Sequence, residues 1–279
     1  LSEEYKIVLD IGTSNIKMIE GYVEKEKVRI DKFSIFPTQK TDKLIAESIS
    51  KELKKQKYKA RKAMIVISDD AIISREVILP KVDEKELSNI ISFESAQYFP
   101  VDLSNYIVDY KVLEEIENQE GEKFKIFVAA IPEEIVTRYV EIVSDAGLKT
   151  EVIEIQANAL SKFMELDNFL ESNNKPVGIL DIGANSSYFA INYNGVLQFG
   201  REIKMGGAQI TRIISKYLNV SMEKAEEIKK DRNLSKKYFD LSEYGSSTSE
   251  EGQRIEKEVV EYLENMAGEI NKILEFYTY

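Results

Sequence analysis

The sequence predicts an α/β protein made of two related lobes with a smaller α/β subdomain inserted between them. Three observations predict it. The string Leu-Asp-Ile-Gly closes an apolar strand at Asp10 and does so again at Asp181, in the other half of the chain. Small polar residues and a further strand follow each copy, so one strand–turn–strand unit is used twice. Between the copies lies a block of different texture, about 82–153, in which strands and helices alternate.

The first lobe, 1–81, opens with strands over residues 5–36. "YKIVLD" is apolar, "IKMIEGYV" follows the turn, and "VRIDKFSIF" alternates with period two. A helix fits "TDKLIAESISKELKKQ", capped near Thr41 or Asp42, with Leu44, Ile45, Ile49 and Leu53 on one side. "AMIVIS" (63–68) and "AIISREVILP" (71–80) read as two further strands. In the middle block a helix fits 83–98 and stops before Pro100. The strands "NYIVDYKVLEE" and "KFKIFVAAI" are joined by the polar turn "ENQEGE". A helix over 133–146 opens after Pro132 and closes at Gly147, and "LKTEVIEI" is the strand after it.

The second lobe, 154–279, starts with a connecting helix near 154–168 and resumes after Pro176 with the strand "VGILDIG". "SSYFAINYNGVLQFGREI" is a hairpin turning on Asn194–Gly195. Helices follow over 207–218 and 221–231, then a loop over 244–252. The last helix runs from about 250, with Val259, Leu263, Met266, Ile270, Ile273 and Tyr277 spaced by four and three. That stripe suits packing on its own lobe or a short coiled coil, and the few heptads favour the former.

Composition narrows the function. With 279 residues, 43% of them hydrophobic, the chain can bury one large core or two to three smaller ones. A formal net charge of −11 argues against binding nucleic acid through its phosphates. The absence of cysteine removes disulfides and thiolate metal sites and suits a reducing compartment. Without histidine there is no Ser-His-Asp triad, no Cys-His dyad and no ordinary zinc site. No apolar run approaches ~20 residues, and no signal peptide is visible. The chain opens on Leu1 rather than Met, as a piece of a longer protein does.

The chemistry centres on the repeated turn. Gly12 and Gly183 let backbone N–H groups turn inward and approach an anion. Thr13, Ser14 and Asn15 in the first copy, and Asn185, Ser186 and Ser187 in the second, add hydroxyl or amide donors, and Ala184 belongs to the second binding turn. A carboxylate beside such a turn repels phosphate unless a hydrated Mg²⁺ lies between them, which assigns Asp10 and Asp181 to the metal through water. Lys17 is placed to act as a point charge on a β or γ phosphate. The plainer alternative is a hairpin turn with no ligand.

These motifs resemble the actin-like ATPase superfamily of actin, MreB, FtsA, sugar kinases and heat-shock chaperones, whose fold is a ribonuclease H-like duplication. "DIGTSNIK" is similar to its phosphate-1 loop and "DIGANSSYFAI" to its phosphate-2 loop. "REIKMGGAQIT" resembles the segment after phosphate-2, with Gly206 and Gly207 leading into a helix. "EKAEEIK" resembles the nucleotide helix, which implies that Glu226 and Lys229 approach the ribose and adenine; read alone, the pair is a surface salt bridge. "IEIQANAL" resembles the first connecting segment, which implies that Gln156 orients water; read alone, it is a polar helix start. A neutral amide is a poor base, so slow hydrolysis or none is implied. The chain ends at "ILEFYTY" where the family begins its second adenosine segment, which is expected to be missing here.

The middle block resembles the PilM family of type IV pilus assembly, on "ISFESAQYFPVDLSNYIVDYKVLEE" and "VAAIPEEIVTRYVEIVSDAGLKTEVIEIQANAL". That resemblance implies a cytoplasmic scaffold that binds ATP or ADP with Mg²⁺ between its lobes. It implies as partner the N-terminal segment of PilN, docked in a cleft between first lobe and middle subdomain. Other pilus platform proteins are implied too, the membrane is reached only through the partner, and a homodimer stays open. Phe93, Tyr98 and Phe99 are candidate groove residues, with internal core the plainer reading of such aromatics. An FtsA-like filament former and a small-molecule kinase are the alternatives.

Overall fold

The computed structural model describes residues 4–25, 27–99, 101–118, 121–166, 175–193, 196–231, 235 and 249–278. The expected hairpin turn at Asn194–Gly195 and most of the loop at 244–252 lie outside the described residues, as does Pro100. The chain divides into two units, Leu1–Asn174 with Asn194–Leu197 and Lys175–Tyr193 with Gln198–Tyr279.

The first unit holds a five-stranded sheet. Strands β1 (Lys6–Ile11), β2 (Asn15–Glu24) and β3 (Lys27–Pro37) form an antiparallel meander, and β4 (Lys62–Ile67) runs parallel to β1. Helix α1 (Asp42–Lys55) lies between β3 and β4 in sequence. Its N-cap is Thr41, whose hydroxyl accepts from the Leu44 N–H at 3.4 Å, and it buries Ile45, Ala46, Ile49 and Leu53. Those side chains pack on Ile7, Leu9, Ile16, Met18, Ala63 and Ile65, the alternate residues of β1, β2 and β4. Strict alternation puts one apolar set on one face, which is why these strands have a defined register.

Strand β5 (Ile73–Pro80), helix α2 (Glu84–Tyr98), β6 (Tyr106–Asn118) and β7 (Gly121–Pro132) form the inserted subdomain, with sheet order β5-β7-β6. Asp83 caps α2 by accepting from the Glu86 N–H at 2.9 Å. One face of the sheet, with Leu79, Ile126, Val128 and Ala130, packs under α2 through Leu87 and Ile91. Phe99 belongs to this core, Tyr98 packs against it half-buried, and Phe93 is 84% exposed. Helix α3 (Glu133–Asp145) returns to the first core with Tyr139, Ile142 and Val143, and Gly147 ends it at φ +84°. Strand β8 (Lys149–Ile155) then pairs parallel with β4, giving the order β3-β2-β1-β4-β8, and α4 (Gln156–Leu166) follows. Thus β5 joins the inserted sheet and β8 the first one, although position in the chain suggested the reverse. Alternation tells which face of a strand is buried; the choice of neighbour is made by long-range packing.

The second unit has a sheet of β9 (Val177–Ile182), β10 (Ser187–Tyr193) and β11 (Val196–Ile203), in the order β11-β10-β9. Among the described residues, this unit also holds helices α5 (Gly207–Leu218), α6 (Met222–Lys230) and α7 (Glu250–Thr278). Asn219 ends α5 in the left-handed region and Ser221 caps α6. Helix α7 packs on this unit, through Ile255 and Val259 against α5 and α6 and through Ile273 against Phe189, Ile191 and Ile203. No helix among the described residues is long and apolar enough to cross a membrane.

Candidate functional site

The first turn joins β1 to β2 with Asp10 opposite Lys17 and Ile11 opposite Ile16. Lys17 Nζ lies 2.8 Å from Asp10 Oδ2. The Gly12 N–H donates to the Asn15 carbonyl at 3.1 Å, and a Cβ on Gly12 would come within 3.0 Å of that oxygen. Thr38, just beyond β3, braces the turn: its hydroxyl donates to Gly12 O at 2.6 Å and its N–H to Ser14 O at 3.0 Å. The Asn15 amide donates to Ser14 Oγ at 3.2 Å. Thr13 and Ser14, at the tip of the turn, are exposed.

Strands β1, β4 and β8 run parallel, with Asp10 beside Val66 and Ile67 beside Ile155. Their carboxyl ends therefore deliver Asp10, Ser68 and Gln156 to one edge, where ligands bind in open α/β sheets. Ser68 Oγ donates to Gln156 Oε1 at 2.5 Å. Nearby, the Asp69 carboxylate accepts from the Ala71 N–H at 3.0 Å. Arg138 on α3 grips Asp42 on α1 with both Nε and Nη2, at 2.7 to 3.0 Å. That bond holds the Asp42 carboxyl below its ordinary pKa.

The second turn repeats the first. Asp181 stands opposite Tyr188, and the Gly183 N–H donates to the Ser186 carbonyl at 3.0 Å. A Cβ on Gly183 would come within 2.6 Å of that carbonyl. The start of α5 is laid onto this turn: Gly207 and Ala208 N–H groups donate to the Gly183 and Ala184 carbonyls at 2.9 and 2.8 Å. A Cβ on Gly206 would sit 2.5 Å from Ala184 O, so only glycine allows the approach. Sequence reading missed Tyr262 of α7, whose hydroxyl accepts from the Gly206 N–H at 2.7 Å and donates to Gly206 O at 3.0 Å. The available signal was a phenol three residues after Val259; the stripe read from the sequence took Leu263 instead, which is 41% exposed.

Glu226 and Lys229 of α6 form an ion pair at 2.6 Å that is anchored rather than loose. Lys229 Nζ also donates to Gly207 O at 3.1 Å and to Thr211 Oγ1 at 3.0 Å, while Thr211 Oγ1 lies 2.5 Å from Glu226 Oε2. Burial pushes the Glu226 pKa up, but bonds from Lys229, Thr211 and Lys230 outweigh it and bring the carboxyl to about 2. Thr211, 3% exposed, was also missed; it lies one helical turn after Gly207, on the same face.

These residues fit a magnesium nucleotide better than a bare cation. Among the described residues no group of three or more carboxylates could cage a metal. A cation beside Asp10 or Asp181 would take most of its ligands from water and phosphate, as Mg²⁺ does.

The first unit also contains a cavity of about 190 Å³ between the inserted sheet and the first sheet's edge. Ile107 and Lys111 of β6, Phe127 and Ile131 of β7, Ile153 of β8 and Asn158 of α4 line it. Alternation on β7 sends Ile126, Val128 and Ala130 to α2 and Phe127, Ala129 and Ile131 to this groove. Phe99 is not a groove residue: it is enclosed under α2 on the opposite face.

Comparison with known proteins follows this geometry. The family model described as "Type IV pilus assembly protein PilM" matches residues 8–278. The chain is 26% identical over 276 residues to the cell division protein FtsA of Bacillus subtilis (strain 168), covering 86% of this chain and 60% of that protein. The chain thus spans about 60% of the length of this relative. Among solved structures it is similar to the PilM-PilN type IV pilus biogenesis complex, with TM-score 0.81, 23% identity, and 98% of this chain and 77% of that one covered. MreB5 of Spiroplasma citri bound to ADP gives TM-score 0.51 and 12% identity, over 98% of this chain and 79% of that one. The fold is that of the actin-like ATPases.

Proposed function

The chain belongs to the PilM family of type IV pilus assembly proteins, and on that premise we propose that it is a nucleotide-binding scaffold of the pilus assembly platform. The observation that carries the reading is the duplicated turn, in which Gly12 and Gly183 make the same N–H bond three residues on, at 3.1 and 3.0 Å. Two such turns, each with a carboxylate at its entry, suit ATP or ADP with Mg²⁺. Asp10 and Asp181 would hold the hydrated ion. The N–H groups and side chains of Gly12, Thr13, Ser14 and Asn15, and of Gly183, Ala184, Asn185 and Ser186, would take phosphate oxygens. Lys17 would add a point charge, and Gly206, Gly207, Glu226 and Lys229 would border the nucleoside. When bound, the metal neutralises phosphate charge. Gln156 would orient water, and because a neutral amide is a poor base, turnover is slow or absent in this reading.

The groove of the first unit is the docking site in this reading. Its apolar floor and polar rim suit a short extended segment; the related PilM-PilN complex supports PilN as a partner, and in this reading the occupant is its cytoplasmic N-terminal segment. The protein would then work at the cytoplasmic face of the inner membrane, recruited by its partner. Calorimetric titration with ATP–Mg²⁺ tests the nucleotide. Asp10→Ala and Asp181→Ala should each weaken binding at least about tenfold, and unchanged affinity in both would remove the nucleotide from the reading. Titration with the PilN N-terminal peptide, with and without ATP, tests the scaffold. Pelleting of the protein as nucleotide-dependent filaments would favour the FtsA-like alternative.

A further inference from the structure

On the reading that the groove of the first unit takes an extended segment of a partner, we infer that Asp109 is an autoinhibitory cap on the free edge of β6, which the segment displaces to add itself as a strand. Among the described residues β6 and β8 are outer strands of their sheets, β5-β7-β6 and β3-β2-β1-β4-β8. Both border the cavity, through Asp109 and Tyr110 of β6 and through Glu154 and Ile155 of β8. In an antiparallel pair, alternate residues turn their N–H and C=O away from the neighbouring strand. Tyr110 does so: its N–H donates to Oδ1 of the preceding Asp109 at 2.8 Å. Val108, two residues back, shares that orientation, so the edge offers two rungs to an added strand. On β8 the Ile155 N–H is held in the same way, by Glu154 Oε1 at 3.1 Å. That second cap is fixed, because Asn158 Nδ2 donates to Glu154 Oε1 at 2.9 Å and Lys162 Nζ to Glu154 Oε2 at 2.5 Å. Asp109 is exposed and can swing into water, so the edge of β6 is the one that opens. A carboxylate holds an N–H more strongly than a peptide carbonyl does, and the incoming strand gains the Tyr110 rung only by breaking the stronger bond. A charged side chain on an outer strand deters indiscriminate pairing in this way. Only a segment whose side chains also fill the floor of Ile107, Phe127 and Ile131 gains enough to displace it.

Calorimetric titration of the full chain with the PilN N-terminal peptide tests the cap in the parent, Asp109→Ala and Asp109→Asn. Affinity should rise about tenfold in Asp109→Ala, the loss of one charge-assisted competitor. Asp109→Asn, whose neutral amide oxygen holds the same N–H about half as strongly, should gain about threefold. Loss of charge alone would make the two variants equal. Hydrogen exchange reads the edge itself: in the unsubstituted chain, peptide should slow exchange of the Val108 and Tyr110 backbone amides by about tenfold or more. Single N-methyl groups moved along the peptide should weaken binding at alternate residues, the period of an added strand. Equal or weaker binding in Asp109→Ala overturns the inference, as do equal gains in the two variants. So do Val108 and Tyr110 amides that exchange no more slowly in a chain that binds the peptide, or N-methyl losses without a period of two. If the unsubstituted chain and Asp109→Ala both fail to bind the peptide, the docking reading itself falls and takes the cap with it.

Discussion

Tyr188 stands opposite Asp181 across β9 and β10, in the place that Lys17 holds opposite Asp10 across β1 and β2. The duplication keeps the carboxylate and the glycine but exchanges the cation for a phenol. Burial, with the nearby Glu202 carboxylate, raises the Tyr188 hydroxyl far above its ordinary pKa, so it stays neutral. Gly200 on β11 makes its space: a Cβ there would collide with the Tyr188 ring and hydroxyl.

The two turns are therefore expected to contribute unequally. Lys17→Ala should weaken ATP binding about tenfold, the loss of one charge-assisted contact. Tyr188→Phe should leave affinity within about twofold. Titration of a fluorescent nucleotide against each variant measures the difference.

Glycine is required at Gly206 and not at Gly268. A Cβ at Gly206 meets the backbone of Ala184 and Gly183, whereas one at Gly268, inside α7, meets nothing within 4 Å. Gly206→Ala should destabilise the fold by about 2–3 kcal/mol, a close approach turned into a clash. Gly268→Ala should stabilise it by about 0.5–1 kcal/mol, the helix-propensity difference. Urea unfolding reads both.

The Glu226 network should leave an acid signature. Its folded carboxyl titrates near 2, below the ordinary value of 4.5. A depressed carboxyl contributes stability that is complete above its unfolded pKa and disappears as pH falls through the folded one. The contribution should hold from neutral pH to about 5 and fade between about 4.5 and 2. Subtracting the profile of Glu226→Gln from that of the parent isolates it, and a difference that instead grows toward low pH would contradict the assignment.

In the groove, Ile107 is 43% exposed, so a charge can be placed there at small cost to folding. Ile107→Asp should lower affinity for the PilN peptide more than about tenfold while costing under about 1 kcal/mol of stability. Phe93→Ala, on α2 across the inserted sheet, should leave peptide affinity within about twofold. Calorimetry with the two variants distinguishes a groove docking site from one on α2.

Local chemistry was legible from the residues alone. The Thr41 cap, the stop at Gly147, the limits of α5 and both Asp-Ile-Gly turns follow from side-chain spacing and backbone freedom within a few positions. Tertiary packing decided the rest. It assigned β5 and β8 to their sheets, drew Phe99 into the core under α2, and brought Tyr262 onto Gly206 and Ser68 onto Gln156. Periodicity states that a side chain turns inward but not which distant segment it meets. That partner is chosen by strand register and core packing, whose contacts join positions tens of residues apart.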